Sequence, residues 1–101
     1  MVTPFQKKVY EVCKLIPKGK VTTYKIVAEK LKIKAYRAIG NALRKNKDIS
    51  VPCHRVVKSD GTVGGYEGKI NNKKKIVLLK KEGIKIKNNK ILNFKSVLHK
   101  F

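Results

Sequence analysis

The stretch that most constrains this chain is residues 50–57, SVPCHRVV, which places a thiol beside an imidazole at mid-chain. Pro52 restricts the backbone on one side, and the two β-branched valines on the other side favour a strand. We therefore predict that this segment holds the sulfur of Cys53 in a rigid, half-buried position. Adjacent side chains on an extended segment point to opposite faces, so help from His54 is expected through a bridging water.

A cysteine thiol becomes an effective nucleophile only when a base or a positive field favours the thiolate. His54 and Arg55 are placed to supply these two influences. In the alternative interpretation, Cys53 is a small hydrophobic core residue and His54 lies at the surface. The stretch alone gives the two interpretations similar weight, so the rest of the chain decides between them.

Charge is the second constraint: the 101 residues include 26 Lys and Arg against 6 Asp and Glu, a formal net charge of +20. A chain of this length supports one hydrophobic core, so we predict a single domain over residues 1–101. Such a positive domain is typical of a protein that binds a polyanion, with nucleic acid first and an anionic membrane second. A solvated, lysine-rich surface is the alternative.

The sequence has neither a membrane-length apolar run nor the apolar region of a signal peptide. We therefore predict a cytoplasmic protein with no membrane partner. Cys13 and Cys53 are too few for a disulfide framework and should remain thiols in a reducing compartment. Zinc-ligand spacing does not occur, so we expect no metal. We also expect a monomer and no small-molecule cofactor.

The amino-terminal residues predict an amphipathic helix. Thr3 and Pro4 are a favourable N-cap and first helical residue, and Pro17 ends the helix. Helical spacing places one apolar stripe on its core side, which consists of Phe5, Val9, Val12, Cys13 and Ile16. Cys13 is therefore predicted to be structural.

Two short helices, predicted over residues 23–31 and 35–44, resemble a helix-turn-helix. Thr23 caps the first helix, and Tyr24 lies in its first turn, where its ring can close the core while its hydroxyl stays wet. The residues of the second helix that are predicted to face the core are Tyr36, Ile39, Gly40 and Leu43.

A separate strip of the second helix has only methyl side chains. Its alanines are Ala35, Ala38 and Ala42, and the polar and cationic residues beside them are Arg37, Asn41, Arg44 and Lys45. Such a face can approach a nucleic-acid groove closely, and the cations suit phosphates. Ordinary close packing of helices on alanine is the alternative, with equal weight.

Residues 56–58 and 62–63 flank a turn at 59–61 and are predicted to pair as a hairpin, which forms a small β wing. Residues 64–68 form a glycine-rich loop around Tyr66 that lacks the spacing and the lysine of a nucleotide phosphate loop. The chain is therefore predicted to be mostly α with a small β wing, as in a winged helix-turn-helix DNA-binding domain.

The carboxy-terminal third is predicted to contain a helix, a hairpin and a docked tail. The helix begins at Asn71 or Asn72 and ends before Gly83, and its apolar side is residues 76–79. Residues 84–92 alternate apolar residues and lysines around two asparagines, as a hairpin does. Apolar residues at helical spacing predict that the tail packs on the domain.

Cys53, His54 and Glu82 are the parts of a thiol nucleophile, its base and the acid that orients the base. A protease or another acyl-transfer enzyme uses the same parts. Such an enzyme needs neither a charge of +20 nor a DNA-binding helix pair.

Taken together, these features resemble the active-site domain of the O6-alkylguanine-DNA alkyltransferases, also called methylated-DNA–protein-cysteine methyltransferases. The resemblance covers about residues 5–83 and is most specific at residues 52–56. The other matching positions are Tyr24, residues 35–40, Asn46, Gly61, Gly64, Tyr66, Glu82 and Gly83.

The resemblance implies DNA repair by direct, stoichiometric transfer of an alkyl group from O6 of guanine in double-stranded DNA to the sulfur of Cys53. It implies that His54 deprotonates Cys53 through a water and that Glu82 orients His54. Tyr24 is implied to crowd the phosphate beside the damaged nucleotide, which drives the nucleotide to rotate.

Minor-groove binding and nucleotide flipping are implied as well. Arg37 is expected to enter the duplex in place of the flipped nucleotide, and Asn46 to brace the turn between the recognition helix and the active-site segment. A narrow groove excludes large side chains, which gives the alanine strip a purpose. The implied DNA-binding residues are Ala35, Arg37, Ala38, Gly40, Asn41, Ala42, Arg44 and Lys45.

The implied guanine pocket uses the carbonyls of Cys53 and Val56, the backbone amide of Glu67, and the ring of Tyr66 as a wall. The chain departs from the family in three ways. The usual amino-terminal domain is expected to be absent, Glu67 stands where a small residue is common, and the segment over residues 68–82 is longer than expected.

Two other function classes stay open. A non-enzymatic alkyltransferase-like protein binds and flags alkylated bases, and typically has tryptophan at the cysteine position. This chain has Cys53 and no tryptophan, which favours the enzyme. A basic winged-helix regulator would bind the major groove in a sequence-specific way and would take up no alkyl group.

Overall fold

The computed structural model of the chain describes residues 2–64 and 73–101. The elements in chain order are α1 (Pro4–Cys13), β1 (Thr22–Thr23), α2 (Tyr24–Lys30), α3 (Tyr36–Arg44), the 3-10 turn η1 (Cys53–Arg55), β2 (Val56–Val57), α4 (Lys73–Lys81), β3 (Ile86–Lys87), β4 (Lys90–Ile91) and α5 (Phe94–Val97). This mostly helical chain with small β elements confirms the predicted fold class. Within the described ranges, none of the helices is long and apolar enough to cross a membrane.

α1 begins as predicted. The backbone amide of Gln6 donates to Thr3 Oγ1 and the amide of Thr3 donates to Gln6 Oε1, both at 3.1 Å, which completes a capping box. Cys13 is fully buried, as predicted. Tyr10, which lies outside the predicted stripe, is also buried, and its hydroxyl donates to the carbonyl of Ala42 at 2.6 Å. That bond joins α1 to α3.

The helix pair α2 and α3 forms, but the faces of α3 differ from the prediction. Thr23 caps α2 by accepting from the amide of Ile26 at 3.0 Å. Ala42 is only 3% exposed because α3 packs on both α1 and α2, so its buried face is wider than the predicted stripe. Tyr36 is 45% exposed. A helical side chain leans over the turn that precedes it, and Tyr36 is the first residue of α3, so no preceding turn of this helix covers its ring.

The predicted hairpin over residues 56–63 is corrected in its pairing. The turn forms, with Gly61 N donating to Lys58 O and Lys58 N to Thr62 O, each at 3.0 Å. However, β2 pairs with β1 in parallel, in the register Thr22 to Val56. Both valines of β2 are fully buried, and a two-sided burial suits a parallel pair inside the domain better than an exposed wing.

α4 ends at a glycine as predicted, with Gly83 at φ +93°, while its predicted start at Asn71 or Asn72 lies outside the described residues. Its buried residues are Lys75 and Leu79. Val77 was predicted on the apolar side but is 50% exposed. The buried face of α4 is the one that carries Lys75 and Leu79, four residues apart, and Val77 lies off that face.

The carboxy-terminal hairpin and the docked tail are confirmed. β3 and β4 pair antiparallel around Asn88 and Asn89, which both adopt positive φ as a type I′ turn requires. The tail then binds beside β1: Val21 N donates to Val97 O at 2.9 Å, and His99 N donates to Val21 O at 2.6 Å.

The core has two parts. One lies between α1, α2 and α3 and includes Cys13, with Cys53 packed at its margin. The other lies under β2, α4 and the carboxy-terminal hairpin and is centred on Val57, Val63 and Leu79. η1 and β2 run between them, so both parts of the core position the cysteine segment.

Candidate active site and nucleic-acid interface

Cys53 opens the turn η1 and is half-buried. The segment is a 3-10 turn and not the extended piece that was predicted, because Arg55 N donates to Pro52 O at 3.0 Å and Val56 N donates to Cys53 O. Successive side chains in such a turn diverge by about 120°. Cys53 and His54 therefore face different directions.

Asn46 connects the end of α3 to the sulfur. Its Nδ2 donates to Cys53 Sγ at 3.2 Å, and the same nitrogen donates to Asp48 O at 2.9 Å. The amide of Asp48 donates back to Asn46 Oδ1 at 3.1 Å. The two bonds to Asp48 give the bracing role predicted for Asn46 a geometric basis. The contact with the sulfur suggests a second role, in the ionisation of Cys53.

The sulfur is a thiol at rest. Burial raises the pKa of Cys53 to about 11, although the hydrogen bond from Asn46 and the positive charge of Lys75 act to lower it. Burial likewise raises the pKa of Cys13, to about 12. Since the thiolate is the reactive form, Cys53 needs a group that removes its proton, and Cys13 is inert.

His54 and Glu82 meet, as predicted. His54 Nε2 lies 2.9 Å from Glu82 Oε2, with both side chains mostly buried. Although burial acts to raise it, hydrogen bonds from Arg55 and His54 lower the pKa of Glu82 to about 2. An ionised carboxylate only accepts hydrogen bonds, so Nε2 of His54 carries the proton and Nδ1 of a neutral ring is free to accept one.

Arg55 completes this group, although its partner was not predicted. Its Nε donates to Glu82 Oε1 at 2.9 Å and its Nη2 donates to Glu82 Oε2 at 2.7 Å. Its Nη1 donates to the carbonyl of Ile16 at 2.8 Å. Glu82 is therefore held on both oxygens, and the described residues show no direct hydrogen bond from His54 to Cys53.

Lys75 is a functional candidate that the sequence interpretation missed. It is 1% exposed, and its Nζ donates to Val56 O at 2.7 Å. Burial lowers the pKa of Lys75 to about 7, against an opposing effect of Cys53 that raises it. The available signal was a lysine at an apolar position of the α4 stripe, four residues before Leu79.

Tyr24 lies beside Lys75 and two glycines. The Nζ of Lys75 is 5.8 Å from the centre of the Tyr24 ring, and a Cβ added at Gly40 or Gly64 would lie 4.0 or 3.7 Å from Tyr24 atoms. Burial, and then the nearby Cys53, raise the pKa of Tyr24, so its hydroxyl keeps its proton and can donate.

The α3 surface presents most of the predicted DNA-binding residues. Those at least partly exposed are Ala35, Arg37, Ala38, Gly40, Asn41, Arg44 and Lys45. Ala42 is the exception and belongs to the core. Tyr66 and Glu67, predicted to line the pocket, lie outside the described residues, and Val56 is fully buried with its carbonyl bound to Lys75. In the described ranges, no group of three or more candidate ligands for a metal occurs.

Comparison with known proteins agrees with this geometry. Residues 4–84 match the family model described as the DNA-binding domain of 6-O-methylguanine DNA methyltransferase. A methylated-DNA–protein-cysteine methyltransferase of Candida glabrata is 46% identical over 90 residues, covering 87% of this chain and 42% of that protein. The chain spans about half the length of the curated relatives it matches.

Solved structures give the same result. The O6-methylguanine-DNA methyltransferase of Pyrococcus kodakaraensis superposes with a TM-score of 0.72 at 46% identity, over 82% of this chain and 48% of that chain. Atl1 of S. pombe, solved with damaged DNA containing O6-carboxymethylguanine, superposes with a TM-score of 0.85 at 29% identity, over 96% and 95%. The chain therefore belongs to the 6-O-methylguanine DNA methyltransferase family, through its DNA-binding domain.

Proposed function

We propose that this chain repairs DNA by moving an alkyl group from O6 of guanine to Sγ of Cys53, once per chain. The observation that carries the proposal is the hydrogen-bonded sulfur of Cys53, which precedes the Glu82-bound His54 in η1 on a DNA-binding domain of this family. Relatives named as methylated-DNA–protein-cysteine methyltransferases support the reaction class.

The chemistry is a displacement at the alkyl carbon. The Sγ–carbon bond forms as the O6–carbon bond breaks, and the thiol proton ends on guanine, which regains its amide form. His54 takes that proton first through a water, because its Nδ1 is the acceptor that Glu82 leaves available. The thioether product has no good leaving group, so the reaction stops after one turnover.

Two neighbours assist the thiolate. Asn46 donates to Sγ, and a hydrogen bond to the charged form favours that form. Lys75 places a buried amine near Cys53 and Tyr24, and its charged form lowers the pKa of the thiol. Both groups act on the ionisation of the sulfur, whereas His54 acts on the transfer of its proton.

Substrate reaches Cys53 as a flipped nucleotide. O6 of a stacked guanine lies in the major groove, and this family is expected to bind the minor groove, so the base must leave the stack. Arg37, exposed on α3, has the length to fill the gap and the planar charge to bond to the orphaned base. Ala35 and Ala38 have small side chains and allow the helix to approach the DNA groove closely. Ala42 is buried in the core and is not one of the proposed DNA-binding residues.

The guanine edge is read by backbone groups in this proposal. The carbonyl of Val56 already accepts from Lys75, but a carbonyl oxygen has two lone pairs and can accept a second donor from the base. Cys53 O, the amide of Glu67 and the ring of Tyr66 complete the proposed pocket. Tyr24, protonated and adjacent, is the proposed donor to the base or its phosphate.

Recognition without transfer is the second candidate. The Atl1 complex with damaged DNA, which covers nearly the whole chain, favours it. The two candidates differ at one atom, since only transfer needs the sulfur of Cys53.

The single-domain organisation, the monomeric state and the cytoplasmic location stay predictions.

The fate of the DNA separates these candidates. A duplex with one O6-methylguanine is incubated with excess protein and digested to nucleosides. Transfer predicts that the modified nucleoside disappears and unmodified deoxyguanosine appears in equal amount, and that Cys53→Ala leaves the lesion intact while still binding the duplex. If wild-type protein binds the duplex and the amount of O6-methylguanine does not change, the protein recognises the lesion without transfer.

A further inference from the structure

A groove lies between α2 and the carboxy-terminal segment and has a volume of about 470 Å³. Its apolar lining is Ile26 from α2 together with Phe94, Leu98 and Phe101. Phe101 is 37% exposed, and an aromatic ring half open to solvent is a ready contact for a ligand. One wall of the groove therefore belongs to residues that follow the family match, which ends at residue 84.

This wall is firmly attached to the domain. The amide of His99 donates to Val21 O at 2.6 Å, and Thr22 Oγ1 donates to His99 O at 3.0 Å. Phe94 packs against Gly61, where an added Cβ would lie 3.4 Å from the ring. The groove is thus a fixed feature of the fold, with one side built on β1.

The charged groups of the groove are three exposed lysines, Lys25, Lys30 and Lys100, and one exposed acid, Glu29. The chain has no acidic residue after Glu82. Its carboxy-terminal part carries lysines only, all exposed at Lys85, Lys87, Lys90, Lys95 and Lys100. An anionic ligand therefore suits this groove.

The groove shares an element with the proposed DNA contacts. Lys25, in its lining, directly follows Tyr24 in the first turn of α2. Ser59, also in the lining, lies in the turn after β2, and β2 directly follows η1. The first turn of α2 therefore contributes both to the groove and to the proposed DNA contacts.

We propose that the groove binds the sugar–phosphate backbone of duplex DNA beside the damaged nucleotide, so that the carboxy-terminal segment extends the DNA contact surface beyond the helix pair. The inference rests on the proposed function. Lysine ammonium groups bind phosphates as point charges and read no base. Leu98 and Phe101 offer apolar surface to the deoxyribose rings between the phosphates.

The test uses full-length variants that change one exposed charge each. Lys30→Ala and Lys100→Ala remove groove cations, and Glu29→Gln removes the acid that repels phosphate. Lys7→Ala and Glu11→Gln change an exposed lysine and an exposed acid on α1 and are the matched controls. Affinity for an undamaged duplex is measured across a salt series, and the reaction with free O6-benzylguanine reports the state of the active site.

Each groove lysine variant should reduce the slope of log affinity against log salt by about 0.9, as expected for one lost phosphate contact. Glu29→Gln should tighten binding about threefold at low salt. The α1 variants should match wild type, and all variants should react equally with O6-benzylguanine.

The inference would be overturned if the groove variants and wild type had equal affinities and equal slopes of log affinity against log salt. This holds even if wild-type affinity falls steeply with salt and the protein takes up the alkyl group. That result would leave the proposed function standing. Wild-type protein that neither binds DNA nor takes up an alkyl group would instead remove the proposed function. Because Glu29→Gln changes an exposed side chain without removing bulk, it decides the question even if a lysine variant is less stable.

Discussion

Asn46 Nδ2 lies 3.2 Å from Sγ of Cys53 and donates a hydrogen bond to it. The same side chain fixes the loop after α3 through Asp48. One residue therefore links the end of α3 to Sγ of Cys53. Because a donor stabilises the thiolate relative to the thiol, we expect Asn46 to affect the reactivity of Cys53 as well as the fold.

Asn46→Ala should raise the pKa of Cys53 and slow its alkylation by iodoacetamide at pH 8 by about tenfold, the effect of a lost hydrogen bond of roughly 1.4 kcal/mol to a charged group. Asn46→Asp keeps the acceptor for the Asp48 amide but places a carboxylate beside the sulfur, so it should slow the reaction further. The rate is followed by intact mass from pH 6 to 10. Identical pH profiles for wild type and both variants would show that the Asn46 bond has no influence on the thiolate.

Lys75 makes stability rise with pH in a defined range. Its pKa in the folded protein is about 7, below the ordinary 10.5, so the unfolded chain binds more protons between these values and stability increases with pH. Lys75→Met should remove this rise between pH 7 and 9, below the range in which Cys53 ionises, and should be more stable than wild type at pH 6. Urea unfolding at each pH measures both effects.

Lys75 should also matter for reactivity. Without its charge, the pKa of Cys53 rises and alkylation by O6-benzylguanine slows in Lys75→Met. Lys80→Met, which removes an exposed lysine from the same helix, is the control and should react like wild type. Equal rates for the two variants would remove Lys75 from the account of the thiolate.

Glu82 should stabilise the fold and hold His54. Glu82→Gln leaves the mostly buried Arg55 without its carboxylate and should lower the free energy of unfolding by about 2 kcal/mol at pH 7. The folded pKa of about 2 lies below the ordinary 4.5, so this contribution is present above pH 4.5 and is lost as the pH falls toward 2. Glu11→Gln, an exposed acid on α1, should leave stability unchanged, and a Glu82→Gln protein as stable as wild type at pH 7 would contradict the assignment.

Arg37 tests nucleotide flipping apart from the chemistry. Arg37→Ala should slow repair of O6-methylguanine in saturating duplex by at least about tenfold, equivalent to roughly 1.4 kcal/mol in the barrier. Reaction with free O6-benzylguanine should be unaffected, because that molecule needs no flipping. Arg44→Ala is the control, since loss of a phosphate contact should weaken binding without slowing the saturated reaction. Equal losses on both substrates for Arg37→Ala would point to the fold or the thiolate.

Local patterns predicted much of this structure because local chemistry sets it. The Thr3 cap, the two asparagines of the last hairpin and Gly83 each have conformational preferences that hold without tertiary context. The approach of His54 to Glu82 was predicted from the residue types that an activated thiol needs and from the family resemblance, since no periodicity brings together residues that are distant in sequence.

What sequence reasoning missed depends on tertiary packing. The burial of Lys75 follows from the carbonyl of Val56, which offers its ammonium a partner inside the domain. Ala42 is buried because α1 and α2 cover the same side of α3. The parallel pairing of β1 with β2 joins residues that are distant in the chain, whereas the predicted hairpin joined neighbours.

The intact mass of the protein after incubation with duplex DNA containing O6-methylguanine is the decisive measurement of transfer to Cys53. We expect a gain of one methyl group per chain, mapped by peptide analysis to Cys53 and absent in Cys53→Ala, with no further gain when fresh DNA is added. A protein of unchanged mass, a methyl group on Cys13, or repeated turnover would contradict it.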